Sequence, residues 1–193
     1  CTLLARTWLR EGELARAEAS FASIVERAEE AGDHRSRARA LEHWAYAVLH
    51  RGDTDLGERL AEQAVEAWLR ASRPIDAARA SLLEAPLQAA RGDASAAVAS
   101  CSRALDLLRG HDHADRGTAR ARLERSTAHL LDGDLRSALS DAEDAFRRGR
   151  WCYRELLAPF SIQLALCAAL SGQVARARAV LDDAEKLTEA SAL

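Results

Sequence analysis

Three arginines, Arg39, Arg79 and Arg120, stand 40 and 41 residues apart. A guanidinium carries five N–H donors in a planar fork that grips a carboxylate through two parallel hydrogen bonds. A fold that lined these three residues along one wall would offer an acidic peptide or a carboxylate ligand a row of forks. The alternative is that they only solvate a helix face, because the chain has 27 basic residues, all arginine but Lys186. His43 and His50, with Glu42 beside the first, and His111 with His113 are the other groups that could bind something. A metal site needs three or four converging ligands, and neither group has a third member, so polar surface residues are expected and no metal. Cys1, Cys101, Cys152 and Cys167 lack the paired short spacing of a zinc site and read as reduced thiols of a cytoplasmic protein. No glycine-rich phosphate loop, Ser-His-Asp set or pair of catalytic carboxylates occurs, so neither an enzyme nor a cofactor is expected.

The elements that position these side chains are written as a repeat. Glycines recur at Gly12, Gly52, Gly92, Gly133 and Gly172, in steps of 40, 40, 41 and 39 residues. Seven residues before each stands a small residue (Ala5, Ala45, Ala85, Ser126, Ala165), and five after it another (Ala17, Gly57, Ala97, Ala138, Ala177). Twelve after come Ile24, Ala64, Ala104, Ala145 and Ala184, on the same helix face as the second column because seven residues make about two turns. Small residues in register mark close approach of two helix backbones. The unit is a helical hairpin, a leading helix before the glycine and a trailing helix after it, and a period near 40 points to a solenoid. Apolar residues fall at helical gaps of three and four, as in Leu14, Ala17, Phe21, Ile24, Val25 and Ala28, or Leu56, Leu60, Ala64, Val65, Trp68 and Leu69. No window alternates with the period of a strand, and the expected fold is all-α.

Punctuation agrees. Gly32 reads as a helix stop, Asp33 as the N-cap of the next helix, and Pro74 as a first-turn residue. Gly149 is expected to end its helix. Pro86 lies inside a leading helix, where it should free the carbonyl of Leu82 and bend the axis. Pro159 predicts a kink or a broken first turn unless its helix starts late. The leading helix of the fourth hairpin, DRGTARARLERSTAHLL, has a thin apolar stripe. There Arg125, like Glu84 in the third copy, takes a place held elsewhere by Leu4, Trp44 and Leu164. An ion pair between Glu84 and Arg125 would relieve both.

The small residue before the turn, the Gly-Asp pairs (Gly52-Asp53, Gly92-Asp93, Gly133-Asp134), the small residue five places on and the bulky one nine places on (Phe21, Leu181) resemble the tetratricopeptide repeat. The resemblance covers the whole chain, with a period near 40 in place of that family's 34. It implies a right-handed solenoid of about five antiparallel helix-turn-helix repeats, forming a single domain over residues 1–193, and a concave groove lined by the leading helices. The arginine column would lie on its wall, beside Tyr46, Leu49, Leu82, Leu123, Leu130, Ile162 and Leu166. About half of these apolar residues are expected to pack on the next hairpin instead, because each repeat buries its face on its neighbours. Family members that clamp a terminal carboxylate use asparagine from this face, and this chain has no Asn.

Repeats of this long form resemble those of bacterial multidomain regulators, including transcription activators with a nucleotide-binding switch domain. The function so implied is a docking module of a larger bacterial regulatory protein, holding a protein or peptide, an acidic one if the arginine column is used. Two alternatives stand beside it: a sensor in which a small molecule or signalling peptide switches an attached nucleotide-binding or DNA-binding domain, and a self-association element such as a homodimer. The chain begins within a helical pattern and is expected to be cut from a longer polypeptide. With a net charge of -3 and pI near 6.1, direct nucleic-acid binding is not expected. No run of about 18 apolar residues predicts a membrane span.

Overall fold

The computed structural model describes residues 12–111, 115–152 and 157–189, and every regular element among them is helical. In chain order these are α1 (Leu14–Glu30), α2 (His34–Arg51), α3 (Thr54–Arg70), α4 (Pro74–Ser81), α5 (Glu84–Ala90), α6 (Ala94–Leu108), α7 (Asp115–Leu131), α8 (Leu135–Cys152), α9 (Leu157–Leu170) and α10 (Val174–Glu189). The leading helix expected before Gly12, with Leu4, Ala5, Trp8 and Leu9, lies outside the described residues. So do Cys1, His113, Tyr153 and the side chains of His50, Cys152 and Leu187.

Contacts divide the chain into two compact units, Cys1–Asp93 and Ala94–Leu193. In the first, α2 packs on α1 and α3, and α4 and α5 pack on α3; in the second, α7 packs on α6 and α8, and α9 on α8 and α10. The boundary falls in the turn of the third hairpin, so each unit joins trailing helices to the leading helices that follow them.

The turn column owes its glycines to backbone shape. Gly52 has φ 83°, its counterparts Gly92, Gly133 and Gly172 lie within a few degrees of that, and nothing stands within 4 Å of a Cβ added at any of them. Only the left-handed conformation requires glycine there. The next residue caps the trailing helix: Asp53 accepts from the Leu56 amide at 3.2 Å and Asp134 from the Ser137 amide at 3.0 Å. Asp33 does the same for α2 through Ser36, where a Ser/Thr/Asn/Asp side chain satisfies an otherwise orphan N–H.

Pro86 does more than bend a helix. The leading helix breaks at Leu82 and Leu83 into α4 and α5. Restarting at Glu84 puts Pro86 in the first turn of α5, where a missing N–H costs no intrahelical bond. Pro159 follows the same logic, because α9 starts at Leu157. Gly149 corrects the sequence reading: α8 runs through it to Cys152. A Cβ at Gly149 would lie 2.8 Å from the ring of Phe160, so this glycine makes room for a neighbouring helix rather than stopping its own. Gly57 has the same role beneath Leu87, whose Cδ2 would stand 3.0 Å from an added Cβ.

Candidate functional site

The leading helices offer a face in each of the two units. In the first, α2 carries Arg39, Glu42, Tyr46 and Leu49 at gaps of three and four, one stripe along the helix. Arg39 is exposed, Tyr46 is 46% exposed and Leu49 is half-buried. Leu82, at the break between α4 and α5, is buried in the core. Arg79 is not a free fork: it donates to both oxygens of Glu42 at 3.1 to 3.3 Å and lies 3.0 Å from Asp76. Its guanidinium also sits 5.9 Å from the ring centroid of Trp68, near enough for cation–π attraction. Asp76 accepts a second arginine, Arg73, at 2.7 Å. Glu42 is buried, and burial holds its carboxyl above the ordinary range although Arg79 pulls it down. Arg39 has no ion-pair partner among the described residues, so the positive character of this face rests on it.

In the second unit Arg120 is exposed and 3.8 Å from Glu124. Burial raises the Glu124 carboxyl, and Arg120 only partly offsets it. Leu123 packs on Ala119, Ala145 and Phe160, while Leu130 packs on Ala138, Ala142, Leu164 and Cys167. Those two leucines are partly buried against the core. Ile162 and Leu166 of α9 remain 59% and 45% exposed and line a cleft of about 470 Å³ with Val174 and Leu181 of α10. Of the expected groove residues, then, Leu82 is buried, Leu49, Leu123 and Leu130 are partly buried, and Tyr46, Ile162 and Leu166 are exposed.

What the sequence reading missed is an ion-pair ladder inside the fourth hairpin. Arg125 of α7 donates to both oxygens of Asp141 on α8 at 2.6 and 2.9 Å and to the Ser102 hydroxyl at 3.1 Å. Arg122 donates to the same Asp141 at 2.5 Å and lies 3.1 Å from Asp144, which also accepts from Arg148. Arg148 reaches on to Asp115 at 2.8 Å. Arg125 thus takes its carboxylate from the trailing helix of its own hairpin. Burial pushes the Asp141 carboxyl up, and the hydrogen bonds and charges of Arg125 and Arg122 outweigh that and hold it below the usual range. The signal was available in Asp141, Asp144 and Arg148, spaced three and four apart along one face of α8 opposite the thin stripe of α7.

Among the described residues no three His, Cys, Asp or Glu side chains converge on a metal position. His43 lies beside Phe21, with ring centroids 6.0 Å apart. Cys101 and Cys167 are buried and form no disulfide. No described helix is long and apolar enough to cross a membrane.

No family model and no curated protein matches the sequence. Solved structures do match. BtubC (BKLC) from P. vanneervenii superposes with TM-score 0.85 at 18% identity, over 97% of this chain and 78% of that one. The putative kinesin light chain TPR-like repeats of Podosopora anserina give TM-score 0.77 at 18% identity, over 98% and 93%. The apo form of RapI gives 0.84 at 12% identity, over 97% of this chain and 52% of its own. At such identities the likeness speaks to the fold, and by fold this chain is an all-α, right-handed solenoid of tetratricopeptide-like helical hairpins.

Proposed function

We propose that this chain is a docking module for a protein or peptide, acting within a larger bacterial regulatory protein, and that the leading-helix faces carry the contact. The observation that supports this reading is the exposure of Tyr46 on α2 and of Ile162 and Leu166 on α9, where other leading helices turn Leu123 and Leu130 partly into the core. Exposed aromatic and branched side chains beside a polar rim suit an amphipathic segment, because aromatic anchors and the exclusion of water around them supply most interface affinity. The partner is acidic near Arg39 and indifferent to Arg79, whose charge Glu42 and Asp76 already meet.

Selection of a displayed peptide library against the full chain tests this reading. Tyr46→Ala or Ile162→Asp is expected to weaken the selected peptides at least about tenfold, the effect of a single interface anchor worth 1.4 kcal/mol. Arg39→Ala is expected to flatten the salt dependence of binding, and Arg79→Ala to leave it nearly unchanged. Selected peptides that bind all these variants as tightly as the parent would place docking elsewhere.

A further inference from the structure

In the four hairpins whose leading helices are described, the residue ten places before the turn glycine is Glu42, Leu82, Leu123 or Ile162. Three of these copies place a branched apolar side chain there, so the fold itself asks for no carboxyl. Glu42 is nevertheless buried, with 9% of its side chain exposed, under Arg79, half of whose side chain is exposed. Taking an ionised carboxyl out of water is costly, and pairing it there adds little net stability. An ionisable group kept on such terms is a candidate for function. It lies on α2 one turn after Arg39 and one turn before Tyr46, inside the contact proposed above.

Glu42 belongs to a row of four charges that cancel. Arg73 donates to Asp76 at 2.7 Å, Asp76 lies 3.0 Å from Arg79, and Arg79 reaches both oxygens of Glu42 at 3.1 to 3.3 Å. Asp76 thus has two guanidiniums at short range and Glu42 one at longer range, so the first proton taken up goes to Glu42. Burial, with the charge of Asp76 behind it, disfavours the Glu42 anion, while Arg79 and the indole N–H of Trp68 favour it. His43, next in sequence, stands against Phe21 of α1. On the helices either side of α2, Glu18 and Glu29 of α1 pair with Arg51 and Arg37, and Glu58 and Glu66 of α3 pair with Arg91 and Arg70. The groups that act most on Glu42 are therefore Arg79 and Asp76 of α4 and Trp68 of α3.

We propose that Glu42 is a proton gate on the docking contact: when it takes up a proton, Arg79 loses one of its two carboxylates, the row of charges turns from neutral to positive beside Arg39, and an acidic partner binds more tightly. The gate rests on the docking reading, and the test separates the two. The probes are peptides selected against the full chain, with each Asp and Glu replaced by cysteic acid. Its sulfonate keeps its charge over the range of pH in which circular dichroism shows the chain folded. Affinity is expected to rise at least about threefold from neutral to mildly acidic pH, the effect of one added charge acting within a Debye length, about 8 Å. Glu42→Gln is expected to bind at neutral pH as the parent does in acid, and to show no rise. By linkage the bound peptide must in turn raise the pH at which the Glu42 carboxyl titrates. Carbon NMR of that carboxyl reads this in the parent chain, with no variant that has to fold. A pH-independent affinity that Tyr46→Ala still weakens overturns the gate and leaves the docking reading standing, as does a rise that persists in Glu42→Gln. Peptides indifferent both to Tyr46→Ala and to pH overturn the two together.

Discussion

The second and fourth hairpins share a backbone plan and fill it with opposite chemistry. In α2 and α3, Leu41, Trp44 and Leu60 hold three places whose equivalents in α7 and α8 are Arg122, Arg125 and Asp141. Leu41 and Leu60 are buried, and so is Asp141, at 3% side-chain exposure. The small columns are common to both: Ala45 and Ala64 in one, Ser126 and Ala145 in the other, all buried. Ser126 meets its requirement as a polar core residue by donating to the carbonyl of Ala138 at 2.8 Å. The approach of the two helix backbones is therefore set by the small residues, and the space between them tolerates either apolar side chains or a charge cluster. Tolerance is not equivalence, because a buried ion pair is weak evidence for stability whereas breaking one is expensive.

The largest expected effect follows from that asymmetry. Asp141→Ala leaves Arg122 and Arg125 without their carboxylate and is expected to cost about 3 to 5 kcal/mol, read from denaturant unfolding. Giving the fourth hairpin the residues of the second, Arg122→Leu with Arg125→Trp and Asp141→Leu, is expected to be neutral or stabilising by about 1 to 4 kcal/mol. If the triple variant fell as far as Asp141→Ala, the two fillings would not be interchangeable and the comparison would break.

Glycines sharpen it next. Gly149→Ala drives a methyl into the ring of Phe160 and is expected to cost about 1 to 3 kcal/mol by overpacking. Gly133→Ala meets no atom but must hold φ 80°, a loss of about 1 kcal/mol that the matching Gly52→Ala should share. Equal losses at Gly52 and Gly133 would confirm that the turns are common to both hairpins.

Acid should separate Glu42 from Asp141 by sign. Asp141 is held below the ordinary carboxylate range, so its stabilising contribution is complete above about pH 3.9, the unfolded value, and disappears as pH falls through the lower folded value. Glu42 is held above its ordinary range by burial, so the folded state binds that proton more tightly than the unfolded chain does. Its contribution turns unfavourable as pH rises from about 4.3 through the raised value, and mild acid relieves it. Hydrogen exchange corrected for intrinsic rates is expected to show α2 gaining protection on mild acidification, as α7 does around the raised Glu124, and α8 losing it around Asp141 only in stronger acid. Glu42→Gln should abolish the first response and leave the second. The smallest effects belong to the caps: Asp53→Ala and Asp134→Ala each remove one hydrogen bond to a first-turn amide, and the two losses should match.

The sequence by itself determined the parts whose physics is local. A glycine at positive φ, an aspartate reaching the amide three residues on, a proline with no N–H to give and a periodic apolar stripe each act within a turn or two of chain. That is why the hairpin repeat, the turns at Gly52 and Gly133, the caps and the all-α fold were legible. Tertiary structure alone decided which side chains meet. Arg79 and Glu42 are 37 residues apart, Arg125 and Asp141 are 16, and nothing local distinguishes a solvated arginine from one whose carboxylate waits on another helix. The same holds for Gly149, which looks like a helix stop until Phe160 arrives above it, and for Leu123 and Leu130, which α9 covers in part. Contacts across helices depend on where the next hairpin lands, and that is fixed by the packing of the whole unit rather than by any one stretch of the chain.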